Sequence, residues 1–216
     1  MTWAVARRDG PGSPPRMPPH APGMRIGLLG GSFDPPHEGH RLASLIALRR
    51  LRLDRVWWLV TPGNPLKDTR ALAPLPDRME ACRQVKRHRL IEVSDIEARL
   101  GTRYTLDTIQ ALRRRAPTVR FVWLMGADNL AGFHRWRRWR CIANLLPLAI
   151  VDRPGSTLRA VRSRAAVSLG VHRLRERDAG RLAERPAPAW VFLHGPRSPL
   201  SSTRLRAGEP RRTTPP

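Results

Sequence analysis

With 216 residues, 41% hydrophobic and 26% charged, the chain has the make-up of one sizeable globular domain with tails. No apolar run approaches the roughly 20 residues that cross a bilayer, which excludes a membrane-spanning helix. The net charge of +23 invites a nucleic-acid reading, but all of the 40 basic residues except Lys67 and Lys86 are arginine, spread through every segment. That spread reads as compositional bias, so no specific nucleic-acid partner is expected, only weak salt-dependent attraction to polyanions. The two cysteines, Cys82 and Cys141, both fall in amphipathic helical patterns and are expected as buried, reduced thiols of a cytoplasmic protein.

Residues 1–23 are dense in Pro and Gly without periodicity and read as a disordered tail. Met24 directly precedes the first strand pattern and is a candidate start of the natural protein. From there apolar runs and amphipathic stretches alternate. "MRIGLLG" predicts a buried strand and "GHRLASLIALRRL" a helix. "DRVWWLV" predicts a strand, "PDRMEACRQVKRH" a helix opened by Pro and Asp, "LIEVSD" a strand and "YTLDTIQALRRRA" a helix. "VRFVWLMG", "LAIVDRPG" and "AWVFLHG" predict three further strands, with helices at "WRRWRCIANL" and "TLRAVRSRAAVSL" between them. Residues 170–188, rich in Arg and Glu, read as a solvated insertion with little regular structure. Residues 208–216 read as a flexible tail, leaving 24–207 as the domain. This alternation predicts an α/β fold: a doubly wound, Rossmann-like, mostly parallel sheet with helices on both faces.

In such a sheet ligands bind beyond the carboxyl ends of the strands, where "GGSFDPPHEGH" follows the first strand. Gly30 and Gly31 let backbone approach a ligand, Pro35 and Pro36 stiffen the turn, and Asp34 shapes it. His37 and His40, three residues apart at a helix start, share one side. Helix N–H groups, the positive dipole end and two imidazoles favour phosphate oxygens and the charge that builds on them during group transfer. Two histidines without a third ligand argue against zinc. The stretch is neither a P-loop nor a dinucleotide fingerprint.

It resembles the H-x-G-H signature of the nucleotidyltransferase superfamily. The second signature of that family, S-S-T-x-x-R, has its match in "PLSSTRLR": Ser201, Ser202, Thr203 and Arg206. Three further segments, "TPGNPLKD", "TRYTLDT" and "GADNLAGFHRWRRW", together with "VDRPG", resemble nicotinate-nucleotide adenylyltransferases over about residues 24–206. The resemblance implies adenylyl transfer from ATP to nicotinate mononucleotide, giving deamido-NAD and pyrophosphate, with Mg²⁺ carried mainly on the ATP phosphates. It makes His37, His40 and Arg206 the candidate catalytic groups. Gly30, Gly31, Ser32, Gly126, Asp128, Arg153, Ser201, Ser202 and Thr203 join them around ATP, Asp128 at the ribose hydroxyls. Asn64 and Lys67 would cover the pyridine nucleotide, Tyr104 and Thr105 would bind the nicotinate carboxylate at a helix start, and Trp136 would stack on the pyridine ring. Trp139 stands three residues on, so one of these two tryptophans is expected in the core.

The chemistry needs no protein nucleophile, because the acceptor phosphate attacks the α-phosphorus itself; positioning and charge stabilisation suffice. The N-terminal tail, the short end after Arg206 and the irregular 170–188 segment depart from the family pattern. Alternatives are a sister adenylyltransferase acting on nicotinamide mononucleotide or phosphopantetheine, and a basic nucleic-acid-binding protein. The sequence leaves oligomeric state open.

Overall fold

The computed structural model of the chain describes residues 15–63, 72–152 and 157–195. Six strands form one parallel sheet: β1 Arg25–Gly31, β2 Arg55–Val60, β3 Ile91–Ser94, β4 Arg120–Gly126, β5 Leu148–Val151 and β6 Trp190–Leu193, in the order β3-β2-β1-β4-β5-β6. All five pairings are parallel; Leu29 lies opposite Trp58 of β2 and Leu124 of β4. Chain direction across the sheet reverses between β1 and β4, and the crevice at that switch point is where such folds bind ligands.

Side chains alternate between the two faces of each strand, so the adjacent Trp57 and Trp58 enter different cores. One core joins Trp57, Trp123 and Trp190 to α4 (Thr105–Arg115) and α6 (Trp139–Leu145). It also takes in α5 (Ala127–Gly132), α7 (Thr157–Val161) and α8 (Arg164–Ser168). The other joins Trp58, Val122 and Val191 to α1 (Glu38–Arg50) and α2 (Leu75–Lys86). A one-turn helix, α3 (Ile96–Arg99), follows β3. Both faces of the sheet are covered, which explains why its strands read as continuous apolar runs.

All six expected strands are present, and four local readings are corrected. The stretch expected as one helix over "TLRAVRSRAAVSL" is α7 and α8, broken where Ser163 leaves helical geometry and its hydroxyl accepts from Ala166 N–H at 3.3 Å. The "WRRWRCIANL" helix begins only at Trp139, after Arg138 in the left-handed region (φ 53°). Residues 170–188 are not a solvated insertion. A 3₁₀ stretch over Glu176–Glu184 buries Ala179, Leu182 and Ala183 in the second core. Its three-residue period puts Ala179 and Leu182 on one side while Arg177, Arg181 and Glu184 are exposed. Cys82 is buried as expected, but Cys141 is exposed. Upstream of Met24, Met17 packs against the first core, and Gly23 N–H donates to the Thr118 carbonyl at 3.1 Å. Among the described residues no helix is long and apolar enough to cross a membrane.

Candidate active site

The turn after β1 is built around Phe33, which sits in the left-handed region (φ 48°) with its side chain fully buried. This conformation is strained for a bulky residue, and packing holds it: the ring stacks on Trp58 at 5.2 Å and lies 4.7 Å from His40. The chain then reaches His37, the N-cap of α1 in extended geometry. His37 Nδ1 accepts from Gly39 N–H at 3.1 Å, and His40 Nδ1 accepts from His37 N–H at 3.2 Å. The two histidines thus form a reciprocal capping box, with ring centroids 3.9 Å apart. Because each Nδ1 is an acceptor, each neutral ring carries its proton on Nε2. Glu38 in the first turn and Arg49 and Arg50 in the last complement the helix dipole. Ser44 donates to the His40 carbonyl at 2.9 Å and accepts from Trp58 Nε1 at 2.8 Å, anchoring this turn to the sheet.

Beside the turn lies a cavity of about 380 Å³. Its wall brings together Gly30, Gly31, Ser32, Tyr104, Thr105 and Trp136 from three distant parts of the sequence. A Cβ on Gly30 would stand 2.9 Å from the Trp123 ring, so glycine is required here for packing as well as for ligand approach. Tyr104 is the N-cap residue of α4 and Thr105 its first residue, with no side-chain cap on the helix. The first N–H groups of α4 therefore remain available to an anion. Arg137 stacks over the Tyr104 ring at 4.3 Å, and Arg103 and Arg135 also line the cavity. Trp136 is half-buried and edge-on to Trp123 and Phe133, while Trp139 is buried in the core. The break before α6 separates these two fates.

His37, His40, Gly126 and Asp128 are not on the cavity wall. Gly126 ends β4 and caps α5, and Asp128 is exposed in the first turn of that helix, with Asn129 beside it facing the cavity. Asn64, Lys67, Arg153, Ser201, Ser202, Thr203 and Arg206 lie outside the described residues.

Two residues the sequence did not flag organise the site. Arg78 of α2 is only 3% exposed and donates to the carbonyls of Ser32 (2.7 Å), Thr61 (2.8 Å) and Ala73 (2.8 Å). It ties the loops after β1 and β2 to the start of α2. Burial lowers its basicity, and the Asp34 charge counters that. Glu97 of α3 is buried and lines the cavity, with its carboxylate accepting from the Thr108 hydroxyl at 3.3 Å. Burial pushes its pKa up to about 7, against hydrogen bonds from Thr61 and Thr108 that hold it down. No sequence pattern marked either residue, because a charged side chain shows its burial only once the chain is folded.

The cytidylyltransferase-like family model matches residues 28–208. A Bradyrhizobium sp. (strain BTAi1) relative named "Probable nicotinate-nucleotide adenylyltransferase" is 61% identical over 85% of this chain and 95% of its own length. A Brucella abortus (strain 2308) relative of the same name is 57% identical over 85% and 94%. The fold also matches a Plasmodium falciparum nicotinic acid mononucleotide adenylyltransferase complexed with NaAD, at a TM-score of 0.63 and 15% identity, over 85% of this chain and 83% of that one. By sequence and by fold, the chain belongs to the cytidylyltransferase-like family, in its nicotinate-nucleotide adenylyltransferase branch.

Proposed function

We propose that the protein transfers the adenylyl group of ATP to nicotinate mononucleotide, forming deamido-NAD and pyrophosphate in NAD biosynthesis. An oxygen of the acceptor phosphate bonds to the α-phosphorus as the bond to the β-phosphate bridging oxygen breaks. The observation that carries this reading is the cavity: one aromatic and cationic pocket holds Trp136, the uncapped start of α4 and the glycine turn after β1. Its volume suits a small-molecule site.

In this reading His37 and His40 donate Nε2–H to the ATP phosphates and support charge that builds in transfer. Gly30, Gly31 and Ser32 line the phosphate path. The start of α4 at Tyr104 and Thr105 receives the nicotinate carboxylate, and Trp136 stacks on the pyridine ring. Asp128 binds the ribose hydroxyls of ATP, Gly126 and Arg153 flank the nucleotide, and Ser201, Ser202, Thr203 and Arg206 hold the outgoing pyrophosphate. Asn64 and Lys67 cover the acceptor. Mg²⁺, when bound, neutralises charge on the triphosphate. The β1 turn offers imidazole N–H donors to the phosphates, and the ion is assigned to the nucleotide because the triphosphate oxygens are themselves hard ligands for Mg²⁺. With ATP as donor, the cytoplasm is the proposed compartment.

The test is pyrophosphate release from ATP and Mg²⁺ with nicotinate and nicotinamide mononucleotides in parallel. Preference for the nicotinate acceptor supports the reading, and turnover of neither by folded protein overturns it. A folded His40→Ala protein with undiminished turnover would remove His40 from the mechanism.

A further inference from the structure

Glu97 is the one acidic side chain on the described wall of the cavity, which otherwise carries Arg103, Arg135 and Arg137. Its position relative to the acceptor follows from α4. Thr108, whose hydroxyl reaches Glu97 Oε1, lies three residues after Thr105, one turn down the same side of the helix. An anion seated at the α4 start is therefore about one helical turn, roughly 5 Å of rise, from the level of the Thr108–Glu97 bond. The pair shares a partly enclosed space, where like charges at that distance repel appreciably. A hydroxyl chain, Thr102 to Thr108 at 2.8 Å and Thr108 to Glu97, fixes the carboxyl in place.

We propose that Glu97 is a specificity-determining residue of the acceptor pocket: neutral, it admits an acceptor with an anionic ring carboxylate; charged, it shifts the preference toward a neutral ring amide. The inference rests on the acceptor orientation proposed above. Burial raises the pKa of the group to about 7, so both states are accessible to the working enzyme. Among the described residues the charged and titratable groups around it are few. On α3, Asp95 and Arg99 pair with each other at 2.9 Å. From α4 and its approach come Arg103 and Tyr104, with Asp107 exposed. From the segment between α5 and α6 come Arg135 and Arg137, both solvent-exposed and set at the cavity wall. Among the described residues, the end of β2 contributes the Thr61 hydroxyl. The sign is set by the acceptor: its carboxylate stays ionised throughout, so raising the pH through about 7 adds a second negative charge to the pocket.

The experiment measures kcat/KM for nicotinate and nicotinamide mononucleotides on the full chain from pH 6 to 8.5. Both acceptors carry the same phosphate, so the titration of that group cancels in their ratio. The nicotinate-to-nicotinamide ratio is expected to fall on the order of tenfold across this range and to be flat in Glu97→Gln, which keeps the shape of the side chain. Thr108→Val removes a hydrogen bond to the charged form and is expected to move the midpoint of the fall upward. A pH-independent ratio in the unsubstituted protein overturns the inference, as does an unchanged fall in Glu97→Gln. Should Glu97→Gln fail to fold, an unmoved midpoint in Thr108→Val overturns it. Turnover of neither acceptor is a different outcome: it removes the proposed function, and the pocket assignment with it.

Discussion

Replacing Arg78 by Met keeps the length of the side chain and deletes its guanidinium. Three carbonyl oxygens, those of Ser32, Thr61 and Ala73, then lose donors at 2.7–2.8 Å, and the longer contact to Pro62 at 3.5 Å adds little. A hydrogen bond from a charged donor is worth about 1.5–3 kcal/mol, and orphaned buried acceptors keep most of their desolvation cost. Releasing a buried guanidinium offsets part of the loss, so a net destabilisation of about 3–5 kcal/mol is expected. For a chain of this size that lowers Tm by roughly 10 °C. Urea unfolding reads the effect as a lower midpoint at constant m. Two of the freed carbonyls belong to cavity-wall residues, Ser32 and Thr61, so KM for the acceptor is expected to rise as well. Arg78→Lys, whose ammonium cannot span all three acceptors, is expected to fall between. An Arg78→Met protein that unfolds at the parent midpoint would refute the clamp.

Trp136→Ala is expected to raise acceptor KM about tenfold with little change in stability, whereas Trp139→Ala is expected to cost about 3–5 kcal/mol in urea unfolding. Equal effects on both would contradict their separation into wall and core. Iodoacetamide at pH 8 is expected to add one adduct per native chain by intact mass, at exposed Cys141; burial pushes the Cys82 thiol up to about 12. Glu97 has a folded pKa of about 7 against 4.5 for the ordinary group, so its contribution to stability is complete below 4.5 and is lost as pH rises through 7. Compared with Glu97→Gln, the parent protein should lose about 3 kcal/mol of unfolding free energy over that window, and parallel stability–pH curves would contradict the assignment.

Where a residue's fate depends on its near neighbours in sequence, it was legible. The strand runs ending at Gly30 and Gly126 and the Pro-opened helix over Met79 and Cys82 follow from period and punctuation, and so does the pair His37 and His40. The resemblance set Trp136 at the pyridine ring and left one of the two tryptophans for the core; the structure buries Trp139, with the left-handed Arg138 between them supplying the physical separation. The misread segments are those where polar and apolar residues alternate at short range. Ala179 and Leu182 sit among charges at a 3₁₀ spacing, which resembles a solvated loop, and Ser163 interrupts a pattern that is otherwise helical.

The sequence alone determined that the chain alternates strands and helices, and that a glycine turn and two histidines stand at the mouth of the first helix. Those features depend on dihedral preferences, side-chain period and capping within a few residues. Tertiary structure alone decided that Arg78 and Glu97 belong to the site. Their chemistry is set by distant partners: Arg78 by carbonyls 46 and 17 residues away, Glu97 by the Thr108 hydroxyl 11 residues on and by the desolvation of a cavity formed from several elements. A charge is inexpensive on a surface and consequential in a core, and only the folded chain shows which of the two it occupies.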